Sequence, residues 1–502
     1  MVYWGKKRTI ATLIAPLLAA GCTVGPNFVS PDPQLPQTSF MDDKGVAVAD
    51  ARLPRPTDPA WWAVFRDPIL TDLERRVADS NLDVRTATIR LAQSRFQRGV
   101  TAAAQFPSIN GDAKYTRELY SQNGIVSLLS GLLPPGSSFN PGAINDYNVG
   151  FDASWELDLW GKVRRQIEAA DAQVDQAADQ RRDALVSSLA ELARDYIQLR
   201  GVQTQIKIAS DNLKVDRDIL QLVQERQQRG LQNGLDVENA AAQVESIRAQ
   251  LPTLQQQESQ YINALSLLLG EPPGALQSEL RRPRLVSPAP PRVPLGIPSE
   301  LARRRPDIRA AEAELHAATA DIGVAVGAFY PSVQLNGTVG FDALDIRNLW
   351  KGSSLQYTVG PSLTLPIFAG GKLRSTLELR EAQQQEAAIT YHKTVLQAWH
   401  DVVNALVAYR LEQNRHARLR SQADHSRQAL ALARSRYSDG VTEFLSVLDA
   451  ERSLLQAEQQ HATSMTNVLL NLVQLFKALG GGWELTFPDL RTTTEVAVSD
   501  RP

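Results

Sequence analysis

The sequence predicts a mainly α-helical protein with a small β part, built from two internal repeats. Self-similarity is the first observation behind this. Tyr147-Asn148-Val149-Gly150 returns as Tyr357-Thr358-Val359-Gly360, and Gly161-Lys162-Val163-Arg164 as Gly371-Lys372-Leu373-Arg374, both 210 residues later. Arg226 and Gly230 recur as Arg436 and Gly440 with no gap between. The second is that no proline interrupts 161–230 or 371–440, so each run can form one helix. Roughly 70 residues at about 1.5 Å each make a rod of about 100 Å. The third is a set of four segments with period-2 patterning, which read as strands.

Each rod carries one apolar stripe. Leu185, Leu189, Leu192, Tyr196 and Leu199 step by 4, 3, 4 and 3, and Val395, Trp399, Val402, Leu406 and Tyr409 answer them in the second copy. This alternation is that of helices packed nearly parallel, and such a rod must bury its stripe on a neighbour. A coiled-coil spacer fits the rods as well as any other reading. The ends of the rods have to decide.

Composition removes several functions. The 53 basic and 55 acidic residues nearly balance and form no basic patch, so nucleic acid is not an expected partner. A hydrophobic content of 43% is too low for a polytopic helical membrane protein. Cys22 is the only cysteine, which excludes disulfides within the chain. The six histidines form no HExxH-like pair, so no metal site is expected. No catalytic constellation and no phosphate loop is present, because Gly370-Gly371-Lys372 lacks the rest of a Walker motif. No cofactor is implied, and the protein does not read as an enzyme.

Lys6, Lys7 and Arg8 precede the apolar run Ile10–Ala20, and Leu18-Ala19-Ala20-Gly21 leads to Cys22. Residues 1–21 therefore read as a signal peptide, with Cys22 at a lipobox-like site where the thiol is acylated. Ala19 stands where a lipobox usually has leucine, so ordinary signal cleavage is the competing reading. Residues 22–58 are a Pro-rich extended arm. The first repeat, 59–270, begins with Trp61-Trp62-x-x-Phe65-x-Asp67-Pro68 and continues with helices from about Ile69 and from Asn81 to Gln105. A later copy of the second helix lies at offset 224: Asp83-Val84-Arg85 matches Asp307-Ile308-Arg309, and Phe106-Pro107-Ser108-Ile109 matches Tyr330-Pro331-Ser332-Val333. The change of offset places 14 extra residues in the Gly/Ser/Pro/Asn-rich loop 124–145.

Ile109, Gly111, Ala113 and Tyr115 alternate with polar residues, as do Tyr147, Val149, Phe151, Ala153, Trp155 and Leu157. Val333, Leu335, Val339 and Phe341, then Tyr357, Val359, Leu363, Leu365 and Ile367, repeat the pattern. Segments of about ten residues with one apolar face fit transmembrane β-strands, and a half-buried soluble hairpin has the same period. Four strands cannot close a pore-sized barrel, so the membrane reading requires oligomerisation.

After each rod and glycine turn the chain returns as a shorter helix; the first return meets Pro252, which is expected to kink or break it. The Pro-rich linker 271–305 joins the repeats, and Arg303-Arg304-Arg305-Pro306-Asp307-Ile308 spans its junction with the second. The second repeat is 306–482, and 483–502 read as a C-terminal tail.

Taken together, Cys22-Thr-Val-Gly-Pro-Asn-Phe, the Trp61–Pro68 motif, and Pro298-Ser-x-Leu through Ile308 resemble the TolC-type outer-membrane efflux family, lipoprotein branch. The resemblance covers essentially the whole mature chain. It implies a homotrimer with four strands per chain in one transmembrane β-barrel, above a long periplasmic α-helical barrel. It also implies an outer-membrane, lipid-anchored channel of a tripartite system. The expected partners are outer-membrane lipid, a periplasmic membrane-fusion adaptor and an inner-membrane transporter of the resistance-nodulation-division type. The duct would export drugs or other small molecules passively. Gly230, Leu231, Asp236, Gly440 and Val441 become tip turns and adaptor contacts. Leu445, Asp449, Arg436 and Tyr437 become the periplasmic gate. On the residues alone, without the resemblance, Asp449 and Arg436 read as solvated helix charges. Two other functions stay open: the outer-membrane duct of a type I protein secretion system, and a non-conducting structural envelope lipoprotein.

Overall fold

The computed structural model describes residues 23–33, 35, 59–121, 142–230, 233–284 and 301–488. Cys22, Leu231 and most of the 124–145 loop lie outside these residues. The helices are α1 (Pro68–Ser80), α2 (Leu82–Ala102), α3 (Lys162–Gln228), α4 (Gly234–Leu268), α5 (Gln277–Leu280), α6 (Leu301–Arg304), α7 (Pro306–Gly327), α8 (Lys372–Ser438) and α9 (Phe444–Ala478). The strands are β1 (Ser108–Leu119), β2 (Ala143–Leu157), β3 (Ser332–Ala343) and β4 (Leu355–Thr364).

The offsets read from the sequence reappear as geometry. Helices α3 and α8 are both 67 residues long and start 210 residues apart, and α4 and α9 are both 35 residues long at the same offset. Strands β1 and β3 are each 12 residues long, 224 residues apart. Of the two outcomes expected at Pro252, a break does not occur: α4 runs through it. Pro252 sits on an exposed part of the helix. The carbonyl that loses its amide partner there can be hydrated, so the helix continues.

The chain divides into two compact units that do not follow the repeats. One unit takes residues 1–30, 93–174 and 313–388; the other takes 31–92, 175–312 and 389–502. Each therefore gathers equivalent parts of both repeats, and α3 and α8 contribute residues to both.

The first unit holds the antiparallel sheet, in the order β1-β2-β3-β4. It also pins the segment that follows Cys22. Val24 N donates to Trp160 O at 3.1 Å. Arg165, 3% exposed at its side chain, donates to Val24 O, Gly25 O and Asn27 Oδ1, and pairs with Glu168 at 2.7 Å. Phe28 stacks on His316 at 4.4 Å. A side chain at Gly25 would lie 2.4 Å from Gly323 Cα, so the arm comes this close only because residue 25 is glycine, and a side chain at Gly323 would meet Arg165 Cγ at 2.8 Å.

The second unit holds the main apolar core. The predicted α3 stripe is fully buried there: Leu185, Leu192, Tyr196 and Leu199 are each 0% exposed. Trp61 stacks on Phe476 at 5.3 Å and meets Trp62 edge-on at 5.7 Å. Asp67 caps α1, accepting from Ile69 N at 2.9 Å, and it also accepts from the Tyr196 hydroxyl at 2.5 Å. Burial and this bond push the Tyr196 phenol well above its usual range. The Arg305-Pro306-Asp307 motif gains a structural reason here. Arg305 pairs with Asp307 at 2.6 Å and with Asp401 of α8 at 3.4 Å, and donates to Ala478 O at the end of α9. One guanidinium thus ties the start of α7 to α8 and α9, and Pro306 is well placed as the first helical residue.

Candidate functional site

Two features of this chain can do something beyond holding it together. The first is the sheet. Paired residues in an antiparallel sheet share a face, so the register assigns every side chain to one side. Phe151 lies opposite Gly111 and Val339, Val149 opposite Ala113 and Phe341, and Trp155 opposite Leu335. Leu363 lies opposite Val333, and Tyr357 opposite Val339. That face is apolar across all four strands. The other face carries Asn110, Asp152 and Thr338 in one row, and Ser154, Asn336 and Gly360 in another. Polar side chains bond along it: Asn110 Nδ2 donates to Asp152 Oδ2 at 3.0 Å, and Asn336 Nδ2 to Ser362 Oγ at 3.0 Å.

Much of the apolar face is exposed among the described residues. Phe151 is 61% exposed and Leu363 69%. Strands of 10–15 residues with a tilt of about 40° match an apolar band of about 25 Å, which is the hydrocarbon height crossed by outer-membrane barrels. Amphipathic aromatics gather near the helix-proximal ends of the strands. Trp155 Nε1 donates to Gln105 O at 2.9 Å, and Trp160 stacks on Tyr330 at 5.0 Å. Trp350, 68% exposed, packs on Phe341 towards the other end. Aromatic girdles at two levels are what membrane interfaces select.

The second feature is the pair of glycine turns in the other unit. Gly230 and Gly440 have φ of 71° and 74°, the left-handed conformation that ends a helix at low cost in glycine. Gly440 N donates to Tyr437 O at 3.1 Å and Val441 N to Arg436 O at 2.9 Å, so the second turn closes on itself. At the first turn Asn233 caps α4 by accepting from Asp236 N at 3.0 Å. Asp236 thus lies in the first helical turn, where a negative charge faces the positive end of the helix dipole.

The predicted gate residues separate into two groups. Phe444, Val447 and Leu448 face inward on α9, whereas Leu445 and Asp449, one turn apart, are both exposed. Val441 and Arg436 are exposed too. Tyr437 is packed: Phe444 lies 5.7 Å from its ring, and the Arg226 guanidinium sits over it at 4.7 Å. Among the described residues neither Arg436 nor Asp449 has an ion pair within the chain. Arg226, a residue the repeat had marked without giving it a role, reaches from the first turn to the second, beside a buried apolar cluster that includes Val223, Ala240, Leu430 and Phe444. Further along, Arg434 and Arg427 tie α8 to Glu451 and Glu458 of α9, both at 2.9 Å.

These features together are those of an envelope channel subunit, and comparison with known proteins agrees. Residues 74–271 and 297–481 match the family described as outer membrane efflux protein. The chain belongs to that family. OprJ, an outer membrane protein of Pseudomonas aeruginosa, is 32% identical, with 95% of this chain and 96% of OprJ covered. The toluene efflux pump outer membrane protein TtgF of Pseudomonas putida is 31% identical, with 93% and 95% covered. The solved structure of the outer-membrane channel OprN superposes with a TM-score of 0.83 at 34% identity, covering 92% of this chain and all of OprN. The long helices, the four strands and the glycine turns of this efflux protein are therefore read as parts of a channel.

Proposed function

We propose that this efflux protein is the outer-membrane channel of a tripartite efflux system, a passive duct for drugs or other small molecules. The single observation that carries the reading is the sheet: one face is apolar and largely exposed, the other is polar, and among the described residues neither edge strand, β1 or β4, has a second partner. Edge strands cannot stay unpaired in a bilayer. Three copies joined β4 to β1 would close twelve strands into a barrel with a polar lumen. A homotrimer, a periplasmic adaptor docked near the glycine turns and an inner-membrane pump of the resistance-nodulation-division type complete the assembly. The test is single-channel recording on the purified protein, with cross-linking between β1 and β4. The expected result is one cross-linked trimer with a discrete conductance. A trimer that never conducts would instead identify a structural envelope lipoprotein. Rescue of protein secretion, rather than of drug resistance, in a deletion strain would identify a type I secretion duct.

Cys22 is proposed as the acylation site. Arg165, Phe28 and Gly25 hold the residues just after it against helices of the first unit, next to Trp160. An acyl chain there would enter the bilayer close to the aromatic level. Mass spectrometry of the mature N-terminus is expected to find lipid on Cys22, and an unmodified terminus on either side of it would reject the assignment. The Cys22→Ser variant is expected still to insert, because one lipid anchor is weak beside a complete apolar belt.

A further inference from the structure

A buried acid pair lies where four helices of the second unit meet. Asp216 of α3 and Glu451 of α9 are each 3% exposed. Gln243 of α4 is 7% exposed, and Arg434 comes from α8. Arg434 Nη2 donates to Glu451 Oε1 at 2.9 Å. Arg452 of α9, the other cation nearby, is engaged by Gln243 Oε1 at 3.1 Å. Both carboxylate oxygens of Asp216 are buried without a donor in hydrogen-bonding geometry, although Glu451 and Gln243 are its neighbours. The balance is therefore wrong for two charges. Arg434 faces both carboxyls, and ionising both leaves a net buried negative charge and an unsatisfied acceptor.

We propose that Asp216 and Glu451 share one proton at neutral pH, and that this proton latches α3 to α9 across the four-helix junction. The shared proton supplies the donor that the Asp216 oxygens lack. It also leaves one negative charge for Arg434 to balance. Burial pushes Glu451 up, and the adjacent Asp216 pushes it further in the same direction; burial raises Asp216 as well. The pair titrates as a unit.

The sign of the effect follows. The folded state holds this proton more tightly than the unfolded chain does. Its contribution to stability is therefore complete at acid pH and is lost as pH rises through and beyond neutrality. His416 and His461, stacked at 4.6 Å between α8 and α9, act in the opposite direction. Burial lowers both, so protonating them weakens the same helices on the acid side. The alkaline limb belongs to the acid pair.

The experiment is thermal unfolding of the full mature protein in detergent from about pH 6 to about pH 9. The wild type is expected to lose of the order of 2–4 °C across this range. Glu451→Gln keeps a donor and removes a charge, so its profile is expected to be flat on the alkaline side. Asp216→Asn is expected to flatten it in the same way. An unchanged alkaline slope in either folded variant overturns the proposal. Infrared difference spectra give a reading that does not depend on unfolding: wild type minus Glu451→Gln at neutral pH should show a protonated-carboxyl band. A missing band also overturns it. Opening of the tip as pH rises is a consequence that rests on the duct reading. Failure of every form to conduct would refute the duct and leave the unfolding and infrared results standing.

Discussion

Replacing Phe151 with Arg is expected to abolish stable insertion of the assembled protein, whereas Ser154→Arg on the same strand should be tolerated. Phe151 sits between Gly111 and Val339, near the middle of the four-stranded sheet, and is 61% exposed on the apolar face. An arginine near the bilayer midplane on the lipid face costs about 2–4 kcal/mol. In the proposed trimer the cost would apply three times, a total comparable with the whole stability of an ordinary domain. Ser154 shares the polar face with Asn336, where an arginine head would meet water and carboxamides. Leu363→Arg and Thr364→Arg form a second pair on β4 with the same contrast. The measurement is the fraction of trimer recovered from outer membranes, followed by denaturant unfolding in liposomes. Greater loss at Ser154 would mean that the two faces are assigned the wrong way, and equal loss that the sheet does not meet lipid on one face alone.

Much of the fold was legible because it is periodic. Two proline-free runs, a 4-3 stripe and a period of two are local signals, and each survives in the structure as α3 and α8, a buried seam, and a sheet with one apolar face. Repeats made the reading safer, since β1 and β3 or α4 and α9 had to be the same kind of element. Pro252 does not break its helix, because at an exposed position the freed carbonyl can be hydrated and the helix continues.

Other features depend on contacts between residues far apart in sequence and left no local trace. Gly25 is an ordinary glycine until the arm crosses α7, where a side chain would run into the Gly323 backbone. Arg305 reads as one of three consecutive arginines, and only its bonds to Asp307, Asp401 and Ala478 distinguish it. Asp216 and Glu451 look like two surface acids on two helices. Burial and each other's presence make them chemical, and no periodicity encodes that pairing. The turn residues fall between these cases. Gly230 and Gly440 were recognisable from the repeat, whereas the packing of Tyr437 under Arg226 required both rods to be in place.

The tip is where one substitution is expected to change conduction most. Leu445→Ser should raise single-channel conductance several-fold and admit large antibiotics into cells, while substitutions in the middle of α8 should not. Leu445 is 49% exposed on a helix whose other apolar residues, Phe444, Val447 and Leu448, are buried. An exposed leucine beside a buried set is not needed for packing, and on a threefold axis three of them would form an apolar constriction that gates by dewetting. A hydroxyl in place of the isobutyl group wets and widens that ring. Asp449, one turn further on and also exposed, would place three carboxylates just behind it. Asp449→Asn should relieve their repulsion yet lower cation preference, since a carboxylate ring attracts cations. Arg436 has no ion pair within the chain among the described residues, so Arg436→Ala should loosen the tip only if its side chain is paired by a neighbouring subunit. Arg226→Ala is the comparison that separates the two ties: it removes the guanidinium from the Tyr437 ring, 4.7 Å away, inside one chain. If Leu445→Ser conducts like the wild type while Arg226→Ala opens the channel, closure is set by the packing of the turns and not by a ring on the axis.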